Sequence, residues 1–257
     1  MIRAERIKAG LRAGGLHLGI SACVALATAV LVLWVWFPYP FRDISGGLFL
    51  FWLMVSIDVV CGPLLTSILF NPQKSRRELT LDLSLVALVQ LSALVYGLYS
   101  INLARPIAQV FEVDRLVAVT ATQFTPEDLA RARPEYRNIP LFGGPRLLGT
   151  RIPNGQETLD SVSMALAGRD LSLRPEWWQP YEDSIANVKL RMKPLANLRK
   201  ARAAEAQAEI DSAVQKTGLP LNQLFYLPLT SRKKLDSWIA LLNKDAQIVG
   251  YAPVDGF

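Results

Sequence analysis

The chain has 257 residues, 51% of them hydrophobic, with a formal net charge of +6, two cysteines and one histidine. Residues 1–105 carry 9 basic and 5 acidic side chains and residues 106–257 carry 19 and 17, so the excess lies mainly in the apolar N-terminal part and does not make a nucleic-acid surface. Cys23, Cys61 and His17 all precede residue 106, which removes disulfides, Cys- or His-based metal sites and a His-containing triad from the rest of the chain.

In chain order, the first apolar stretch is Leu16–Phe37, the second Ile44–Phe70 and the third Leu83–Leu103. Each suffices to cross a hydrocarbon layer about 30 Å thick, which takes roughly 20 residues as helix. The expected fold is a membrane protein: three transmembrane helices in residues 1–105, then a periplasmic α+β domain with an antiparallel sheet in residues 106–257. An odd number of spans puts the two ends on opposite sides. Arg3, Arg6, Lys8 and Arg12 precede span one, and Lys74, Arg76 and Arg77 lie between spans two and three, whereas the turn Pro38–Asp43 holds only Arg42 and Asp43. The basic segments stay in the cytoplasm, so the C-terminal domain lies outside, in the periplasm if the membrane is a bacterial inner membrane. Trp34, Trp36, Phe37, Tyr39, Phe49, Phe51, Trp52, Tyr96 and Tyr99 then fall near the outer interface, where amphipathic rings settle. Ile20-Ser21-Ala22-Cys23 resembles a lipoprotein processing site. The long apolar run, however, follows Cys23 instead of preceding it, so span one reads as a retained signal anchor.

Asp58 is the sharpest feature of span two, because an acid within a span costs roughly 2.5–3.5 kcal/mol on insertion scales. Four residues on, Gly62-Pro63 thins and kinks the same helix and gives another helix room to approach. The functional reading makes Asp58, Gly62 and Pro63 a partner-binding site. The structural alternative ties Asp58 inside its own bundle, to Ser56, Gln90 or a backbone group. A lone acid does not make an aspartyl protease.

After the spans, Val110–Val119 reads as one strand. Thr125-Pro126-Glu127-Asp128 is a helix start with a capping Thr and Pro at the first helical position. Pro134–Gly155 reads as loop. Within it Phe142-Gly143-Gly144-Pro145-Arg146 lacks the Gly-Lys-Ser/Thr ending of a phosphate loop. Glu157–Ala167 is a short amphipathic helix with Leu159, Val162, Ser163 and Leu166 on one side. Trp177 and Trp178 make either an exposed partner-binding patch or a plug in the core. Ala196–Lys216 is a strong helix stopped by Gly218-Leu219-Pro220. The basic stretch Lys189–Arg202 either rests on anionic headgroups or is a solvated face partnered by Glu205 and Glu209. Leu224–Leu229, Leu235–Leu242 and Gln247–Tyr251 read as strands, the last two joined by the turn Asn243–Ala246.

The first 115 residues resemble the TfpX/TfpZ-type accessory proteins of type IV pilins. The matching pieces are Pro38-Tyr39-Pro40-Phe41, Ile44-Ser45-Gly46-Gly47, Asp58, Gly62-Pro63-Leu64-Leu65-Thr66, Asn71-Pro72, Lys74-Ser75, Arg77-Glu78-Leu79 and Asp82-Leu83. Gln90-Leu91, Ala93-Leu94, Tyr96-Gly97, Ala104-Arg105-Pro106 and Phe111-Glu112-Val113-Asp114-Arg115 follow in order. The later match rests on Leu227-Pro228-Leu229, Arg232 and the Trp238 hairpin. The resemblance implies an inner-membrane helper of pilus assembly, matched to its own major pilin, with no catalytic residue and no cofactor. Its implied partners are the major type IV pilin, the pilus assembly platform and membrane lipids. A pilin waits in the membrane as an apolar helix with a periplasmic head, and its helix carries an acid near a free amine, which Asp58 would meet. Two other classes stand beside this one. A membrane sensor with a periplasmic ligand-binding domain is opposed by the short cytoplasmic segments. An enzyme acting on pilin is opposed by the short first outer turn, which leaves no room for clustered catalytic acids.

Overall fold

A computed structural model describes residues 2–257. Among these residues three helices are long and apolar enough to cross a membrane, Ala4–Trp36, Gly47–Leu69 and Arg76–Ala104. The chain divides into two compact units, one made of the residues up to Phe37 with Gly46–Leu103, the other of Pro38–Ser45 with Ala104–Phe257.

In the helical unit, α1 (Ile2–Val30) continues as a wider π-helical turn over Leu31–Trp36. Helix α2 spans Gly47–Leu69 and α3 spans Arg76–Ala104. Helix α1 starts well before Leu16, where the apolar run begins, because helix geometry continues through the basic segment once the hydrogen-bond ladder is running. Its early turns carry Gly10 and Gly14 on one face. A β-carbon at Gly14 would lie 2.8 Å from the Pro63 carbonyl oxygen and would overlap the Ser67 hydroxyl, so these glycines let α1 and α2 touch backbone to backbone. Farther along, Val32, Trp36, Phe37, Phe51, Met54 and Ile101 form the buried cluster of this unit.

The second unit is built on a mixed sheet in the order β4-β3-β1-β2-β6-β7-β8, with β5 also pairing β6. The strands are β1 Pro106–Glu112, β2 Arg115–Thr120, β3 Arg146–Thr150, β4 Trp178–Pro180, β5 Lys193–Pro194, β6 Phe225–Ser231, β7 Ile239–Leu242 and β8 Ile248–Ala252. The α+β class holds. The sheet is not wholly antiparallel, since β1 runs parallel to β3 and β2 parallel to β6. The single strand read across Val110–Val119 is a hairpin that turns at Val113-Asp114, with Val113 in the left-handed region at φ 50°. The stretch read as loop contains β3. The helix starting at Thr125 forms as α4 (Pro126–Ala130), with the Thr125 hydroxyl accepting from the Asp128 N–H. Helix α5 covers Gln156–Leu166, and α6 covers Ile185–Arg191. The long helix read at Ala196–Lys216 is two, α7 Leu195–Ala201 and α8 Ala204–Thr217, the latter closed by Gly218 at φ 70°. The β7–β8 hairpin forms with its turn at Asn243–Ala246, where the Asn243 N–H donates to the Gln247 carbonyl over 3.0 Å.

One side of the sheet packs Phe111, Leu116, Leu227 and Leu229 against Tyr181, Val188 and Trp238, and the same cluster takes in Phe41 and Ile44. The short segment between the first two apolar helices is thus part of this core. The Tyr39 ring meets Trp238 edge-on at 5.8 Å, and the Ser231 hydroxyl donates to the Ile44 carbonyl over 3.0 Å. The other side is covered in two places. Val110, Val119, Leu148 and Trp178 pack beneath the segment that contains α4, and Tyr226, Ile239 and Leu241 pack beneath α7 and α8.

Candidate functional site

Asp58 lies near the middle of α2, between two points where α2 and α3 touch. At one, Gly97 of α3 leaves room for Met54. At the other, Gly62 leaves room for Gln90, and a β-carbon at either glycine would overlap that side chain. The Gln90 amide donates to the backbone carbonyl of Asp58 over 2.9 Å. The internal tie considered above therefore uses the Asp58 main chain and not its carboxylate. The Ser56 hydroxyl turns back to the Trp52 carbonyl over 2.7 Å. The Asp58 carboxylate makes no hydrogen bond or ion pair with any described residue. Pro63 contributes no N–H to the helix ladder, and the Ser67 hydroxyl donates to its carbonyl over 2.8 Å.

Two grooves meet at Asp58. One, about 210 Å³, runs among all three helices and adds His17, Ser21, Thr28 and Gln90 to apolar walls. The other, about 240 Å³, lies between α2 and α3 and is walled by Leu53, Met54, Ala93, Tyr96 and Gly97. His17 Nδ1 pairs with the Thr66 hydroxyl at 2.6 Å. Sequence reasoning missed His17 as a groove residue, although a His within an apolar helix is itself a polar signal. It also missed Gly10 and Gly14, whose four-residue spacing marks a close helix contact.

Trp177 and Trp178 do not form an exposed patch; both rings are buried. Trp177 is held between the guanidinium groups of Arg151 and Arg174, each 4.0 Å from the ring centre. Trp178 Nε1 donates to the Ser172 carbonyl over 2.9 Å, and its ring meets Phe124 edge-on. The local reason is that this segment enters the sheet as β4, which turns Trp178 into the core. An exposed apolar stripe lies instead on α5. Leu159, Val162 and Leu166, read as one side of an amphipathic helix, are 74%, 56% and 86% exposed. Three of the six basic residues of the stretch Lys189–Arg202 are paired, with other acids than Glu205 and Glu209. Arg199 makes a double hydrogen bond to Asp211, and Lys189 and Arg202 approach Asp245 and Asp255.

A cavity of about 870 Å³ in the sheet unit opens beside the parallel β2–β6 pair, where Val117, Thr230 and Ser231 line it. Arg115, Arg169 and Arg232 line it with Glu112, Asp128 and Ser172. Arg169 is paired with Asp128 at 3.1 Å. Glu112 is buried and accepts the Ser172 N–H at 2.7 Å. Burial pushes its carboxyl above the ordinary range, and that hydrogen bond offsets part of the rise. No cluster of three or more His, Cys, Asp or Glu side chains suited to a metal ion occurs among the described residues.

The model of the family "Fimbrial assembly protein FimB" matches residues 5–46, which cover most of the first apolar helix and the segment after it. Over the whole length, the fimbrial assembly protein of serogroup E1 from Dichelobacter nodosus is 38% identical, covering 98% of this chain and 98% of its own. The chain belongs to the fimbrial assembly protein family. A second member, of serogroup I from the same organism, is 37% identical over the same shares. A third, of serogroups C1 and C2, is 43% identical over 128 residues, half of this chain and 98% of its own length. No solved structure matches the chain.

Proposed function

We propose that this fimbrial assembly protein is a pilin-specific accessory factor of the TfpX/TfpZ type, which holds a type IV pilin in the bacterial inner membrane and passes it on for pilus assembly without turning over a substrate. The names of its full-length relatives support a role in fimbrial assembly. The distribution of Lys and Arg supports a cytoplasmic N-terminus and a periplasmic sheet unit. The observation that carries the proposal is Asp58, a carboxylate without a hydrogen-bond partner among the described residues, set where two intramembrane grooves meet. An acid so placed favours a cationic group on an incoming helix, and the free amine at the start of a pilin helix is one. The exposed stripe of Leu159, Val162 and Leu166 supplies a second contact, for the pilin head.

The test is co-purification of pilin with the detergent-extracted protein. Asp58→Asn and Asp58→Leu should both lose pilin while the protein keeps its normal abundance. Silence of Asn with low abundance of Leu would make Asp58 an internal polar tie. Normal pilin capture by both variants at normal abundance would end the proposal for this residue. A pilin of altered mass in a strain lacking the protein would point to an enzyme instead. The cavity beside β2 and β6 favours one second reading, a sensor with an extramembrane ligand site. That reading requires Arg232→Ala to change pilus output while leaving pilin capture intact.

A further inference from the structure

We propose that the turn Leu141-Phe142-Gly143-Gly144 is a lipid-interface anchor, seating the sheet unit on a bilayer surface with an apolar tip flanked by arginines. The tip is out of the core: Leu141 and Phe142 are 51% and 76% exposed. Its base is rigid. Tyr136 and Ile139 pack against the cluster around Val110 and Trp178, and the Gly143 N–H closes the turn on the Pro140 carbonyl at 3.4 Å. Arg146 braces the same loop by donating to the Asn138 carbonyl over 3.3 Å and to the Glu135 carbonyl.

What covers the tip follows from where the chain fastens it. The buried Arg105 donates through Nη1 to the Leu141 carbonyl and through Nη2 to the Pro140 carbonyl, both over 2.8 Å. One planar guanidinium thereby clamps two successive peptide groups. Arg105 is the residue after Ala104, the last of the third apolar helix. Covalent continuity alone therefore keeps the turn within a side chain's reach of the point where the chain leaves the membrane, whatever orientation the rest of the unit takes. The charge around the tip suits that place. Residues 131–146 hold Arg131, Arg133, Arg137 and Arg146 against one acid, Glu135. An exposed aromatic tip with a basic collar is the composition of a segment that settles among anionic headgroups.

The test uses the full chain in nanodiscs of phosphatidylcholine and phosphatidylglycerol. The native cysteines Cys23 and Cys61 are replaced by Ala, and an NBD probe is attached at Gly144→Cys, which leaves Leu141 and Phe142 intact. Free NBD-cysteine sets the aqueous limit. A separate variant that keeps Cys23, exposed on α1, and replaces only Cys61 carries a probe there that sets the lipid limit. Iodide should quench the loop probe several-fold less than the aqueous limit, and a nitroxide near the top of the lipid acyl chain should quench it strongly. Adding Phe142→Asp, a change at an exposed position that leaves the core untouched, should return the probe to the aqueous limit. Full iodide quenching in the parent, or no response to Phe142→Asp, overturns the anchor. Shielding from both quenchers also overturns it, because a second copy of the chain would then cover the tip. None of these outcomes depends on whether Asp58 binds pilin.

Discussion

The helical unit makes its closest helix contacts through small residues, beside one cluster of large ones, whereas the sheet unit is held by large ones throughout. Gly10 and Gly14 lie against Ser67 and Pro63, and Gly62 and Gly97 admit Gln90 and Met54. Many of the large apolar side chains of the helices, such as Leu85, Leu88, Leu91 and Val95, are exposed. The sheet unit instead buries Phe111, Leu116, Tyr181, Leu227 and Trp238 against one another. The difference follows from the surroundings. In lipid, burying a Leu gains no hydrophobic free energy, so contact depends on close backbone approach, whereas in water area removed from solvent dominates. Polar groups divide in the same way. The sheet unit pairs its buried tyrosine hydroxyls internally: Tyr181 donates to the Ala246 carbonyl over 2.7 Å and Tyr251 to Gln109 over 2.9 Å. The helical unit leaves the Asp58 carboxylate facing open grooves. An acid without a hydrogen-bond partner within an apolar helix is the costlier case, which is why the functional argument starts there.

This contrast can be broken first at Phe41. If the segment between the first two helices is core, Phe41→Ala should cost about 3–5 kcal/mol, in the range for a buried aromatic. That is a large share of the roughly 5–15 kcal/mol that holds an ordinary domain. The sheet unit of the full chain should then become sensitive to limited proteolysis, and a fragment starting at Ala104 should be cleaved faster than the same residues in the whole protein. Equal protease resistance of Phe41→Ala and the parent would return the segment to a mere connector. A smaller effect is expected at the glycines. Gly14→Ala should destabilise by about 1–3 kcal/mol, as overpacking does. Its neighbour Gly15, with nothing within 4 Å of an added β-carbon, should accept Ala without loss. Thermal melts of the detergent-extracted variants compare them, and equal melts would remove the close-packing account of α1 and α2.

The smallest effect concerns Glu112. Its carboxyl is held above the ordinary range by burial, so the folded protein keeps that proton more tightly than the unfolded chain. Stability from this group is therefore fullest below the usual carboxylate range and is lost as pH rises through the raised folded value. Glu112→Gln still accepts the Ser172 N–H and removes the titration. Melting temperatures taken from about pH 4 to 7 should be flatter for the variant than for the parent. A steeper profile for Glu112→Gln would show that the ionised form of Glu112 is the stabilised one and would overturn this account.

The spans were legible because a bilayer asks only for length and apolarity, and the α4 cap because Thr-Pro-Glu-Asp satisfies helix-start donors by itself. The hairpin at Val113-Asp114 was not legible. A β-branched residue at positive φ is rare, so the sequence carries no turn signal where the strands reverse. The break between α7 and α8 lacks Gly or Pro. Arg202, just past the end of α7, reaches the Asp255 and Phe257 carbonyls, a contact supplied from the far end of the chain. Strand β3 lies among Pro and Gly residues, and its pairing with β1 supplies order that local propensity does not. Of the candidate site, Asp58, Gly62 and Pro63 were legible as a costly acid beside a thinned helix. The fate of Trp177 and Trp178 was not, since an aromatic pair has the same composition on a surface and in a core.

The packing of Phe41 and Ile44 into the sheet core also sets an order of events during synthesis. The Ile44 carbonyl waits for the hydroxyl of Ser231, 187 residues later. Until the third apolar helix has been inserted and the strands after it have been made, these two side chains have no core to enter. A chain halted after two insertions would carry Phe41 bare at the membrane surface, where a protease or chaperone that reads exposed aromatic residues can find it. Completion of the sheet thus reports that all three insertions have succeeded.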